Sequence, residues 1–248
     1  MTTAKKFDTR KLVLLGLLTA IVVVLQVLAI FTRPLFPAFS ITLVLMPIVV
    51  GAALIGPLAG GWLGLVFGFA VLISGDAAPF MAVDPFGTIL VVLAKGAIAG
   101  LAAGYVYKMI EGKNKTLAAV AAAIVCPLVN SGVFIIGSYV FFIPTLTEWA
   151  ASGEATYYAA TVAESYGFYN LSEWYAMQGF ESTGEWLASR GFDSARQWAE
   201  ASGVAINVTR YIFLVLVGVN LIVELAINLL LSPTIVRLVQ YGRNKRAA

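Results

Sequence analysis

The sequence predicts an all-α integral membrane protein, a bundle of six helices with both termini in the cytoplasm. Three observations carry that expectation. Of the 248 residues, 60% are hydrophobic and 12% charged, with mean hydropathy +0.90, about half the charged fraction of an ordinary soluble domain. The apolar residues gather into runs of about 20, the length that crosses a hydrocarbon core roughly 30 Å thick at about 1.5 Å per residue. Lys and Arg collect at alternate ends of those runs, as they do on a cytoplasmic face. A water-soluble monomer is excluded.

The first run, about 11–31, follows Lys5, Lys6, Arg10 and Lys11. It is longer than the apolar part of a signal peptide, and no small-residue cleavage pattern precedes Arg33-Pro34, so a retained helix is expected. The second and third runs, 39–55 and 58–75, are parted only by Gly56-Pro57. The fourth, fifth and sixth cover about 87–110, 116–143 and 208–232. Backbone groups in lipid must be satisfied within the segment, so each run reads as a helix. With both ends inside, the cytoplasmic segments hold Lys5, Lys6, Arg10, Lys11, Lys108, Lys113, Lys115, Arg237, Arg243, Lys245 and Arg246, and the outer ones only Arg33, Arg190, Arg196 and Arg210. Asp76, Asp84 and eight carboxylates between Glu148 and Glu200 fall outside. The net charge of +3 is thus ordinary topogenic charge and gives no sign of a nucleic-acid partner. The chain divides into residues 1–144 with five helices, an extracellular insert at 145–205, and 206–248 with the sixth helix and a basic tail.

The insert repeats itself. Three 12-residue units, GFYNLSEWYAMQ (167–178), GFESTGEWLASR (179–190) and GFDSARQWAEAS (191–202), share Gly-Phe, five residues, then Trp. Each reads as a helix of about two turns, started by Asn170, Ser182 or Asp193 and ended by the next glycine in a left-handed conformation, with the following Phe packing back. One unit cannot bury its own Phe and Trp. The repeat is either a small cap that packs its own aromatics or a lid or docking module that uses some of them.

Polar groups inside the spans are the candidates for function, because ionisable side chains in lipid face a protein interior or a water-filled pocket. Lys95 lies in the fourth span; Glu224 lies in the sixth, between Asn220 and Asn228 on the same stripe. In the fifth span Asn130 stands near mid-depth beside Ser131, with Phe134 one turn outward. Counted from the outer ends at about 1.5 Å per residue, Lys95 is roughly 12 Å deep, the two asparagines roughly 16–20 Å and Glu224 about 22 Å. These groups line one pocket open to the outside, with Asp84 near its mouth, or else Lys95 and Glu224 pair and the asparagines bond between helices. Gln26, in the outer third of the first span, is a weaker candidate.

Gly16 and Ala20 make a small-xxx-small pair on the first helix, and Gly51, Gly56, Gly60, Gly61, Gly64 and Gly68 run through the second and third. Such positions serve helix packing within the chain or docking of another membrane protein. Walker A, paired-aspartate, G-x-S-x-G and H-E-x-x-H motifs are missing from the sequence, so no enzyme and no cofactor is expected. A stand-alone carrier or channel, or a membrane interaction protein using the aromatic repeat, remains the rival reading.

Several stretches resemble the S components, the substrate-binding subunits of energy-coupling factor (ECF) transporters. They are SITLVLMPIVVGAALIGPLAGGWLGLVFGF at 40–69, Asp84-Pro85-Phe86 in the third loop, and LAKGAIAGLAAGYVYK at 93–108. The chain is similar to the riboflavin, pantothenate and folate branch over residues 10–143 and 207–240, and the repeat insert departs from it. The resemblance implies a prokaryotic, multi-pass cell-membrane protein that binds a vitamin or related micronutrient from outside. It also implies a membrane coupling protein and two cytoplasmic ATPases as partners, toppling to release the cargo, and a pocket in the outer half formed by the last three helices and nearby loops. The family's small-residue motif against the coupling protein corresponds to Gly16-x-x-x-Ala20. Lys95 suggests an anionic ligand, pantothenate or a folate-like acid, unless Glu224 neutralises it.

Overall fold

A computed structural model describes residues 9–32 and 43–245, and among them every regular element is helical. Lys5, Lys6, Arg33, Pro34, Arg246 and Ser40 to Thr42 lie outside the described residues. Among the described residues, five helices are long and apolar enough to cross a membrane: Thr9–Phe31, Pro57–Ser74, Pro85–Ile110, Lys115–Phe141 and Val208–Arg237. We label the elements α1 (Thr9–Thr32), α2 (Leu45–Leu54), α3 (Pro57–Ser74), α4 (Ala78–Met81), α5 (Pro85–Ile110) and α6 (Lys115–Phe141), then α7 (Ile143–Ser165), α8 (Leu171–Gln178), α9 (Thr183–Ala188), α10 (Ala195–Ser202), α11 (Val208–Arg210) and α12 (Val219–Lys245). A π-helical stretch, Tyr211–Gly218, joins the last two.

Among the described residues, the expected second span is represented by α2, ten residues and so about 15 Å, half the hydrocarbon thickness. Leu45, Ile48 and Val49 are fully buried and Val50 and Ala52 nearly so. A helix that is apolar all round belongs in a core, and α2 occupies that place among α1, α3, α5 and α12.

The chain forms two compact units, residues 1–137 with 217–248, and residues 138–216. In the first, α3 and α5 meet backbone to backbone. A Cβ added to Gly60 or Gly64 would strike the carbonyl of Gly100 or Gly96, and one at Gly68 would lie 2.9 Å from the Val92 carbonyl oxygen. The antiparallel register therefore pairs 60 with 100, 64 with 96 and 68 with 92. The glycines of the third span serve packing within the chain. The α2–α3 turn needs Gly56, whose φ of 138° suits no L side chain, and Pro57 starts α3 at N1. Asp84 opens α5: its Oδ1 accepts from the Gly87 N–H at 2.9 Å, with Pro85 at N1.

On α1, Leu18, Val22, Gln26 and Ala29 form the buried stripe. Gln26 Nε2 donates to Ser74 Oγ at 3.2 Å and to Asp76, which ties α1 to the end of α3 and gives Gln26 a structural task. At the opposite end, Arg237 Nε donates to Thr116 Oγ1 at 2.9 Å and Gln240 Nε2 to Tyr107 OH at 2.6 Å, joining α12 to α6 and α5.

The second unit is built on a helix that hydrophobic runs did not reveal. Along α7, Ala151, Ala155, Ala159 and Ala163 recur every four residues and make a smooth buried floor. Trp174, Trp186 and Trp198, one from each repeat, pack with it, all less than 5% exposed, and Trp174 and Trp186 meet at a tilt of 59° with ring centroids 6.0 Å apart. Two of the repeat helices end as expected, with Gly179 and Gly203 as left-handed C-caps; α9 has Ser189 as its C-cap and the left-handed Gly191 two residues later, and the N–H of Phe180, Phe192 and Val204 reaches back to Tyr175, Leu187 and Ala199. Gly167 and Phe168 end α7 with the same backbone bond. Asn170 and Ser182 cap α8 and α9, but the third cap is Ser194, not Asp193. Ser194 holds the fourth place of its unit, as Asn170 and Ser182 do. Asp193 instead gives its backbone N–H to Gln197 Oε1, as Glu181 does to Glu185. Burial pushes the Tyr175 hydroxyl pKa up, and that hydroxyl shares a 2.9 Å hydrogen bond with Thr183.

If the α3–α5 approach holds the first unit together, Gly64→Ala should destabilise the protein by about 1–3 kcal/mol, the usual cost of overpacking. Gly132→Ala, which meets nothing within 4 Å, should have little effect. Thermal unfolding in detergent checks both.

Candidate functional site

The site grows from the α3–α5 contact. Lys95 adjoins Gly96, and Phe67 lies one turn beyond Gly64, so the two glycines that bring the backbones together also bring this ring to the ammonium. Lys95 Nζ stands 5.9 Å from the Phe67 ring centroid and 5.4 Å from that of Phe134. Such contacts stabilise a desolvated cation through the negative ring face. Phe80, from the short α4, meets Phe134 edge to face at 5.6 Å. Lys95 and Phe134 are thus brought together as the sequence suggests. The flanking Phe67 and Phe80 carry no sequence signal of their own, because Phe is common in every span.

Glu224, 7% exposed, acts electrostatically on Lys95 and on Cys126. The Arg237–Thr116 bond and the electrostatic reach of Glu224 to Cys126 set α12 antiparallel to α6, with 237 beside 116 and 224 in the neighbourhood of 126. One helical turn on from 224 and 126, residues 220 and 130 come to within about a turn of one level. Asn130 is 6% exposed, Asn220 is half-buried, and the Oδ1 atom of each is buried with no hydrogen-bond partner. An unpaired buried acceptor costs about 1–3 kcal/mol, so two so near in level mark a place where donors are expected.

Asn228, by contrast, is satisfied within α12: its Nδ2 donates to the Glu224 carbonyl at 2.9 Å and its Oδ1 accepts from Ser232 at 3.2 Å. Asp84 spends one carboxylate oxygen on its helix cap. Pro127, inside α6 and next to Cys126, has no N–H to give to the carbonyl four residues back. Gly16 and Ala20 lie on the exposed face of α1, and a Cβ on Gly16 would meet nothing within 4 Å.

The arrangement is one cation held over aromatic rings, one buried carboxylate in electrostatic reach of it, and two amide oxygens awaiting donors. No group of three or more His, Cys, Asp or Glu suited to a metal occurs among the described residues.

A family model described as ECF transporter, substrate-specific component, matches residues 10–236. Neither a curated protein nor a solved structure matches the chain. The family match spans both the helices and the repeat insert, and with the apolar helices it makes this a multi-pass protein of the cell membrane. The chain belongs to the family of substrate-specific components of ECF transporters.

Proposed function

We propose that this subunit captures an anionic vitamin or related micronutrient from outside the cell and passes it to a separate membrane coupling protein powered by two cytoplasmic ATPases. The observation that carries the reading is the pair of unpartnered amide oxygens, Asn130 and Asn220, on the two helices whose Phe134 and Glu224 reach Lys95. A ligand carboxylate would answer Lys95, and ligand N–H or O–H groups would answer the asparagines. Pantothenate, with a carboxylate, an amide and hydroxyls, has that combination; a folate-like acid is the next choice. Six helices, cytoplasmic termini and an extracellular insert at 145–205 complete the proposal. Burial of all three repeat tryptophans favours the insert as a self-packed cap over a docking module.

Asn130→Ala and Asn220→Ala should each weaken binding at least about tenfold, roughly 1.4 kcal/mol, and Lys95→Met should do the same for a carboxylate ligand. Titration calorimetry with pantothenate and a panel of carboxylate vitamins provides the measurement. Unchanged affinity in all three variants would move the pocket elsewhere. A merely structural Lys95 would show itself as an unstable protein whose folded fraction binds normally.

Gly16 and Ala20 are the proposed contact with the coupling protein, since small residues on an exposed face admit another helix closely. Replacing both with Leu should reduce uptake by the assembled transporter while leaving ligand affinity within about twofold. Equal loss of both would make this face part of the binding fold.

A further inference from the structure

Within the second unit, one side of α7 and the start of the last span leave an open cleft of about 660 Å3, a size typical of sites for small ligands. Its chemistry is graded along the helix axis. Glu154 and Tyr157 of α7 share its lining with Arg210 and Tyr211 at the start of the last span, and Leu214 and Val215, each 59% exposed, line it one turn further along that span. Among the described residues, neither Glu154 nor Arg210 forms an ion pair with another protein group.

Two charges of opposite sign and two phenols, set just beyond an exposed apolar surface, call for a ligand with the same order of groups. An anion alone would be repelled by Glu154, and a cation alone by Arg210. The span that contains Arg210, Val208–Arg237, has 30 residues, about 45 Å of helix, whereas the hydrocarbon core takes about 30 Å and the core with headgroups about 40–45 Å. Its first turn therefore lies at headgroup level, where Arg and Tyr are at home, and Leu214 and Val215 lie where the hydrocarbon begins.

We propose that this cleft binds a phospholipid whose zwitterionic headgroup ends in a primary ammonium. Arg210 holds the phosphate, with the Tyr157 and Tyr211 hydroxyls as further donors. Glu154 accepts from the ammonium, and an acyl chain lies along Leu214 and Val215. None of its lining residues belongs to the Lys95 site, and the proposal is independent of which vitamin is bound there.

The test is native mass spectrometry of the full-length protein after incubation with equimolar phosphatidylethanolamine, phosphatidylcholine and phosphatidylglycerol of identical acyl chains. Phosphatidylethanolamine should be retained about fivefold or more over phosphatidylcholine, which has the same phosphate and net charge but no N–H for Glu154, a difference on the scale of one charge-assisted hydrogen bond. Glu154→Gln should bring the two within about twofold, and Arg210→Ala should cut retention of phosphatidylethanolamine about fivefold, while Tyr169→Ala, on a side chain 91% exposed elsewhere, changes nothing. Equal retention of the three lipids by the unaltered protein, or a preference for phosphatidylglycerol, would overturn the proposal whether or not the variants fold.

Discussion

Lipid tails are as apolar as leucine, so helices in a membrane gain little from hiding apolar surface and hold together by close fit. In this chain the fit on which the rest depends is the meeting of α3 and α5 at Gly60 with Gly100 and Gly64 with Gly96. The contact leaves no room for a β-carbon on either helix. It also sets the chemistry, because Lys95 is covalently next to Gly96 and Phe67 is a turn from Gly64. Moving the helices apart by the width of a methyl group would withdraw the ring from the ammonium and leave a buried cation poorly served.

A lysine in this position is costly unless its charge is answered. Two aromatic faces and the electrostatic reach of Glu224 supply part of the answer within the protein. The asparagine oxygens do not contribute, since an acceptor near a cation is useful only if it can turn to it, and these two stand unpartnered. A folded protein that keeps such acceptors buried gives up stability; on the function proposed above, the cargo would supply the donors that Asn130 and Asn220 lack within the protein. The second unit solves a different problem, the burial of three tryptophans outside a continuous apolar run. It does so with an alanine floor and a capped helix repeated three times.

Much of this was legible in the residues. Long apolar runs disclosed five of the spans, and the twelve-residue spacing disclosed the short helices, the left-handed glycines after them and two of their three caps. The third cap was misread because Asp193 is the stronger-looking acceptor, whereas its place in the unit assigns the cap to Ser194. α7 escaped notice because its buried face is alanine, whose small side chain adds little to hydropathy; the period of four from Ala151 to Ala163 was the available signal. Lys95 and Glu224 stood out because charge in an apolar run is rare, and helical periodicity tied Asn130 to Phe134 and Asn220 to Glu224. The aromatic surroundings of Lys95 did not, because they depend on the register of α3 against α5, which glycine spacing suggests but does not fix.

Native mass spectrometry of the gently purified, full-length protein, followed by identification of what it releases, tests the central claim most directly. A single small molecule bearing a carboxylate and N–H or O–H donors should accompany the protein and be lost from Asn130→Ala and Asn220→Ala. A protein that folds, carries no small molecule and takes up none from a panel of carboxylate vitamins would contradict the account.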